Sequence, residues 1–182
     1  MSKVVICMAD GCEEIEGLTV VDILRRAAVE IDMVSIMDTL DITGAHGIVF
    51  KADKMFSDAN WDEYDGIILP GGGVGTNNLM AHEGLAAILK EFAAKGKLVS
   101  AICAAPSVLG QLELLKGKKA TCYPGFESKL IGATSVAEPS VVDGNVITGK
   151  GMGTAIDFAL DIVAYLIDEA KADELAKQIM YR

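Results

Sequence analysis

A cysteine directly follows an apolar run in Leu98-Val99-Ser100-Ala101-Ile102-Cys103-Ala104-Ala105-Pro106, with small residues two before and two after it. This is the spacing of a nucleophile elbow, where a strand turns sharply into a helix and only small neighbours let the two segments approach. The side chain at such a tip is held out at the helix start, where the helix dipole favours thiolate over thiol. The competing reading of Cys103 is a small buried core residue, because free cysteine is among the most buried residue types.

Three other segments carry unusual chemistry. Asp10-Gly11-Cys12-Glu13-Glu14-Ile15-Glu16 clusters carboxylates, Pro70-Gly71-Gly72-Gly73-Val74-Gly75 is a glycine-rich turn, and Gly149-Lys150-Gly151-Met152-Gly153 is a second one. Glu13 and Glu14 fit complementation of a helix N-terminus. Glu16 shares a helical face with Val20, which should look inward, so a desolvated carboxyl with a raised pKa is expected there. The backbone N–H groups of the first glycine turn could receive a developing oxyanion beside a thiol. Gly151 to Thr154 resembles a phosphate cradle only weakly, and Thr154 with Asp157 predicts a capping box at a helix start. His46 and His82 read as structural.

Periodicity and run length predict the elements that must position these groups. Strands are expected at Lys3 to Met8, Asp32 to Met37, Ile67 to Leu69 and Leu98 to Ile102, with short ones at Thr121 to Cys122 and Val146 to Thr148. Thr43 to Phe50 reads as a hairpin at a sheet edge. Helices are expected at Glu14 to Ala28, His82 to Ala94, Ser107 to Leu115, Thr154 to Leu166 and Ala170 to Met180. This alternation implies an α/β chain with an open, mostly parallel sheet covered on both faces, in which the segments after the strands share one rim. The four unusual segments all fall on that rim.

Composition bounds the rest. The chain has 182 residues, read as a single domain over 1–182, with a net charge of −10 that argues against a nucleic-acid footprint. No run is long enough for a signal or membrane segment, so a cytoplasmic protein is expected. The four cysteines show no CxxC pairing and there are two histidines, so no metal site and no disulfide are expected.

Taken together, Glu13-Glu14-Ile15-Glu16, Leu69-Pro70-Gly71-Gly72 with Gly75, Asn78 and Leu79, Ala101-Ile102-Cys103-Ala104-Ala105-Pro106, and Gly151-Met152-Gly153-Thr154 before Asp157-Phe158-Ala159-Leu160 make the sequence resemble the ThiJ/PfpI superfamily. The resemblance is to the branch of the parkinsonism-associated protein deglycase and its bacterial relatives, within the class I glutamine amidotransferase-like domains. It implies a flavodoxin-like three-layer sandwich, a homodimer, no cofactor, and a reactive Cys103 whose thiolate accepts a hydrogen bond from protonated Glu16. It also implies backbone N–H groups of Gly72 and Ala104 around the reacting oxygen, and a pocket involving Gly71, Tyr123, Lys150 and Met152. The implied activities are glutathione-independent glyoxalase and deglycation of small aldehyde adducts, with oxidation of the cysteine to a sulfinate as a stress signal. A redox-sensing or chaperone-like role is the alternative. Two positions depart from the pattern: Tyr123 stands where close relatives carry histidine, and Met152 where proline is usual. Cysteine peptidase activity, implied for other branches, requires histidine after the cysteine, and that position here is Ala104.

Overall fold

Strand β1 (Lys3–Met8) is an uninterrupted apolar run after Lys3, and it is buried on both faces because helices cover both. Val4, Ile6 and Met8 point into one core, and Val5 and Cys7 into the other. The computed structural model describes residues 2–182. After β1 come α1 (Glu14–Arg26), β2 (Glu30–Ser35), the short strands β3 (Asp41–Thr43), β4 (Val49–Lys51) and β5 (Lys54–Met55), and β6 (Gly66–Leu69). The chain continues through α2 (Gly73–Ala81), α3 (Glu83–Ala94), β7 (Leu98–Ile102), α4 (Pro106–Gln111), β8 (Lys119–Ala120) and β9 (Thr134–Ser135). It closes with β10 (Ser140–Asp143), β11 (Val146–Gly149), α5 (Ala155–Leu166) and α6 (Glu169–Gln178).

The main sheet has seven strands in the order β10-β11-β7-β6-β1-β2-β5. Every pairing in it is parallel except β10 with β11. One core lies between the sheet and α1, α5 and α6, and the other between the sheet and α2, α3 and α4. This is the three-layer α/β arrangement expected, and no helix among the described residues is long and apolar enough to cross a membrane.

Several boundaries differ from the sequence reading, each for a local reason. Helix α1 stops at Arg26 because Ala28 takes a left-handed φ of 61°. Strand β2 ends at Ser35, whose hydroxyl turns the chain by bonding Thr39 O and accepting from Met37 N. The hairpin of β3 and β4 forms a sheet of its own, and the main sheet's edge is taken by β5. Helix α4 is shorter than Ser107 to Leu115, since Glu113 adopts φ 61° and Gly110 lies hard against the Lys129 carbonyl. The strand expected at Thr121 to Cys122 is β8, two residues earlier, paired only with β9. The Thr154 capping box does not form: its hydroxyl turns back to Gly151 O at 3.0 Å and leaves the α5 start without a side-chain cap. His82 does cap α3, its Nδ1 accepting from Leu85 N at 2.9 Å while its ring packs on Phe56.

Candidate active site around Cys103

Because β11, β7, β6 and β1 are parallel neighbours, their carboxyl ends deliver four loops to one rim. Backbone hydrogen bonds stitch these loops together. Glu13 N donates to Gly71 O at 3.0 Å, Gly75 N to Gly11 O at 3.0 Å, and Cys103 N to Gly149 O at 2.9 Å. Cys103 itself sits at φ 66°, a left-handed conformation costing about 1 kcal/mol or more for a residue with a Cβ. Its two peptide groups are both anchored, N–H to Gly149 and carbonyl to the Tyr123 N–H at 2.8 Å, which holds the strained turn in place. Ala101 and Ala105 are fully buried against it, as a sharp elbow demands.

Glu16 projects from the first turn of α1 into the same spot and is 0% exposed. Its Oε2 accepts the Gly71 N–H at 2.9 Å. Its Oε1 is buried with no hydrogen-bond partner among the described residues. Gly71 is the wedge between the two reactive groups: a Cβ there would lie 2.5 Å from Glu16 Oε2 and 2.6 Å from Cys103 Cβ. No other residue type leaves both groups where they are.

The electrostatics follow from this burial. Desolvation pushes the Glu16 carboxyl up to about 7, against the pull of the thiol and of the Gly71 N–H. The thiol acts on the carboxyl's ionisation from nearby, although no Sγ–H···O contact satisfies hydrogen-bond geometry. Cys103 is pushed up to about 12, first by burial and then by the Glu16 charge, while the backbone N–H groups of Gly72 and Ala104 oppose the rise. The expectation that the helix start alone yields a thiolate therefore needs correction. Helix α4 begins at Pro106, and a buried thiol beside a carboxylate resists ionisation. The sulfur's charge is tolerable only when Glu16 holds a proton. The ionisation of each group therefore depends on the other.

The structure thus brings together Cys103, Glu16, Gly71, Gly72 and Ala104. Tyr123 adjoins them through its backbone, and its ring is 51% exposed and lies against Gly151. Lys150 lines a separate cavity of about 220 Å³ with Thr121, Cys122 and Glu127. Met152 begins a short 3-10 turn on the surface and is 51% exposed. Lys150 directly follows Gly149, whose carbonyl accepts the Cys103 N–H.

Glu14 and His46 form an arrangement that spacing did not reveal. Glu14 is buried, and its carboxylate accepts from the His46 backbone N–H at 2.7 Å and from its ring Nδ1 at 3.0 Å. Burial would raise Glu14, but these bonds, with those from its own and the Ile48 backbone, hold it down to about 2. Glu13, Glu14 and His46 offer ligand-type atoms within 4.8 Å of one another, a grouping absent from the sequence expectation of no ligand cluster. The hydrogen bonds that Glu14 already accepts make it a tether for the 44–48 loop. The signal available in sequence was only the acidic pair itself.

The similarities of the chain agree with this geometry. Residues 2–165 match the model of the DJ-1/PfpI family. A DJ-1 homolog B of Arabidopsis thaliana is 36% identical over 182 residues, 99% of this chain, and the chain spans only 42% of that relative's length. A protein of Pyrococcus abyssi named as a deglycase is 31% identical over 90% of this chain and 99% of its own. The solved structure of Toxoplasma gondii DJ-1, described as oxidized, superposes with a TM-score of 0.96 at 36% identity, covering 100% of this chain and 99% of that one. A match over nearly the whole chain, together with an elbow cysteine facing a buried carboxyl, establishes that the chain belongs to the DJ-1/PfpI family.

Proposed function

We propose that this chain is a cysteine-dependent enzyme acting on reactive 2-oxoaldehydes, of the glutathione-independent glyoxalase or deglycase type, working in the cytoplasm. The observation that carries the reading is the elbow Cys103, at φ 66° and partly exposed, set across Gly71 from the fully buried Glu16 carboxyl. In the first step the thiol proton passes to Glu16 as sulfur bonds to the aldehyde carbon, and Glu16 gives that proton to the carbonyl oxygen to complete a hemithioacetal. Glu16, again ionised, removes the hydrogen on that carbon as a proton and returns it to the neighbouring carbon while the adduct's hydroxyl proton passes to the ketone oxygen, converting the adduct to a 2-hydroxy thioester. Water cleaves the thioester, releasing a 2-hydroxy acid and restoring the thiol. The sum is addition of one water, with no external oxidant or reductant. A Glu16 pKa of about 7 suits a group that must both take and give a proton near neutrality.

The name of the Pyrococcus abyssi relative supports this reading. Loss of methylglyoxal without glutathione, compared among the unmodified protein, Cys103→Ala and Glu16→Gln, tests it. Cys103→Ala should abolish turnover and Glu16→Gln should lower it by about 10²-fold or more. Equal rates in all three would sink the proposal.

A redox-sensing role is the second reading, favoured by one contrast: Cys7, Cys12 and Cys122 are buried, whereas Cys103 is partly exposed. Mild peroxide should then add two oxygens at Cys103 before any other thiol, read by intact mass and peptide mapping. Peptide hydrolysis is not supported, because Ala104 follows the cysteine, His46 is bound to Glu14, and His82 caps α3. Self-association is part of the enzyme reading, through the exposed apolar strip of Ile15, Ile48 and Val49 beside α1. Sedimentation of the full chain and of Ile15→Glu checks it, with a monomer at micromolar concentration in the unmodified protein as the refuting result.

A further inference from the structure

Strand order decides on which side of the thiol each neighbouring group stands. Strand β7, which ends at Cys103, lies between β6 and β11. The β6 side delivers Gly71 and Gly72, with Glu16 behind them, and it is full: Glu16 is buried, and even a Cβ on Gly71 would lie 2.5 Å from its Oε2. The β11 side delivers two loops that grip the elbow. Gly149 O accepts the Cys103 N–H, and the Tyr123 N–H donates to Cys103 O at 2.8 Å. Thr121 N in turn donates to the Thr148 hydroxyl of β11 at 2.9 Å.

The Tyr123 ring also stands on the same face of the sheet as the Cys103 side chain. Cys103 packs on the core shared with α1, α5 and α6, whereas Cys122 is buried in the opposite core. The next residue, Tyr123, sends its ring the other way, to Gly151 just before α5, where a Cβ would lie 3.5 Å from Tyr123 Cδ2. The ring is held as well as placed. Tyr123 O accepts the Phe126 N–H at 3.0 Å across a turn whose third residue, Gly125, has φ 95°, and the Phe126 ring meets Tyr123 edge-on with centroids 6.4 Å apart. Half of this fixed aromatic side chain nevertheless remains exposed.

The surroundings of the ring are apolar. Met152, after Gly151, adds a second exposed apolar side chain to the neighbouring loop. Lys150 turns with Cys122 into the separate cavity, and no ammonium stacks on Tyr123 among the described residues. A ring already held by its turn costs little further ordering when another ring packs on it.

Resting on the 2-oxoaldehyde reading of Cys103, we propose that Tyr123 is the specificity-determining residue of the site. With the reacting carbonyls toward Glu16 and Gly72, the substituent on the ketone carbon lies against the Tyr123 ring, and an aromatic substituent is preferred to a methyl group.

Phenylglyoxal and methylglyoxal differ in that substituent alone. The ratio of their kcat/KM values is compared among the unmodified protein, Tyr123→Ala and Tyr123→Phe, so that intrinsic reactivity cancels. Tyr123→Ala keeps the N–H that binds Cys103 O and removes only the half-exposed ring, and it should lower the ratio about threefold to tenfold, chiefly through phenylglyoxal. Tyr123→Phe should keep the ratio within about twofold, since the aromatic face is retained. A second pair of probes needs no turnover. Alkylation of Cys103 by phenacyl bromide and by bromoacetone, in which sulfur displaces bromide, should show the same fall in ratio in Tyr123→Ala. Absence of turnover with both aldehydes sinks the enzyme reading and leaves the alkylation ratio to decide the role of Tyr123. The proposal is overturned if either measurable ratio is unchanged in Tyr123→Ala, or if Tyr123→Phe loses it as fully as Tyr123→Ala.

Discussion

Replacing Glu16 by Gln removes a titration and leaves the shape almost unchanged. An amide oxygen can still accept the Gly71 N–H that Glu16 Oε2 accepts at 2.9 Å. Burial raises the folded carboxyl from an ordinary 4.5 to about 7. The folded state therefore holds this proton more tightly than the unfolded chain, and stability is lost as pH rises from 4.5 to about 7, then levels off. Integrated over that window, the loss approaches about 3 kcal/mol. Urea unfolding of both proteins between pH 4 and pH 8 measures it. At pH 4, where Glu16 is protonated in both states, the two stabilities should nearly coincide; by pH 8 Glu16→Gln should be the more stable by up to about 3 kcal/mol. The series stops at pH 8 because Cys103, raised to about 12, contributes a slope of the same sign once the unfolded thiol begins to ionise near 9. A stability difference that stays constant across the series would refute the argument that burial governs this carboxyl.

Two further consequences are open to direct measurement. Gly71→Ala places a methyl 2.5 Å from Glu16 Oε2 and 2.6 Å from Cys103 Cβ, so the pair must separate by about 1 Å to restore van der Waals contact. Alkylation of Cys103 by iodoacetamide should change about tenfold or more and stability should fall by about 1–3 kcal/mol; an unchanged rate with unchanged stability contradicts the wedge. At the 44–48 loop, the His46 imidazole is raised above its ordinary 6.5, first by its bond to Glu14 and then by the charges of Glu13 and Glu14. NMR titration should show it returning toward the ordinary value in Glu14→Gln, and an unmoved titration would remove the tether assigned to Glu14.

Much of the architecture was legible in the chain itself. The apolar runs of β1, β6, β7 and β11 are long enough, and buried enough on both faces, to declare a covered parallel sheet. Glu16 was readable as inward because it shares a helical face with Val20, and both prove fully buried. The alanines flanking Cys103 announced a sharp turn, and the turn is there at φ 66°. Elements with weak local signal were not legible. Helix α2 contains Gly73 and Gly75, poor helix formers, and Gly75 is required because a Cβ there would lie 2.6 Å from the Cys12 backbone, a contact between distant segments. Strands β5, β9 and β10 are two to four residues long, too short for alternation to show.

The sequence by itself determined which groups could react and that the parallel sheet would carry them to one rim, since run length and periodicity are properties of neighbours in the chain. Tertiary structure alone decided the rest. It put Gly71 between the carboxyl and the thiol, tied Glu14 to His46, and raised both Glu16 and Cys103 where the helix start alone suggested a lowered thiol. Ionisation responds to burial and to every charge within a few ångströms, and those neighbours are assembled from segments far apart in the chain.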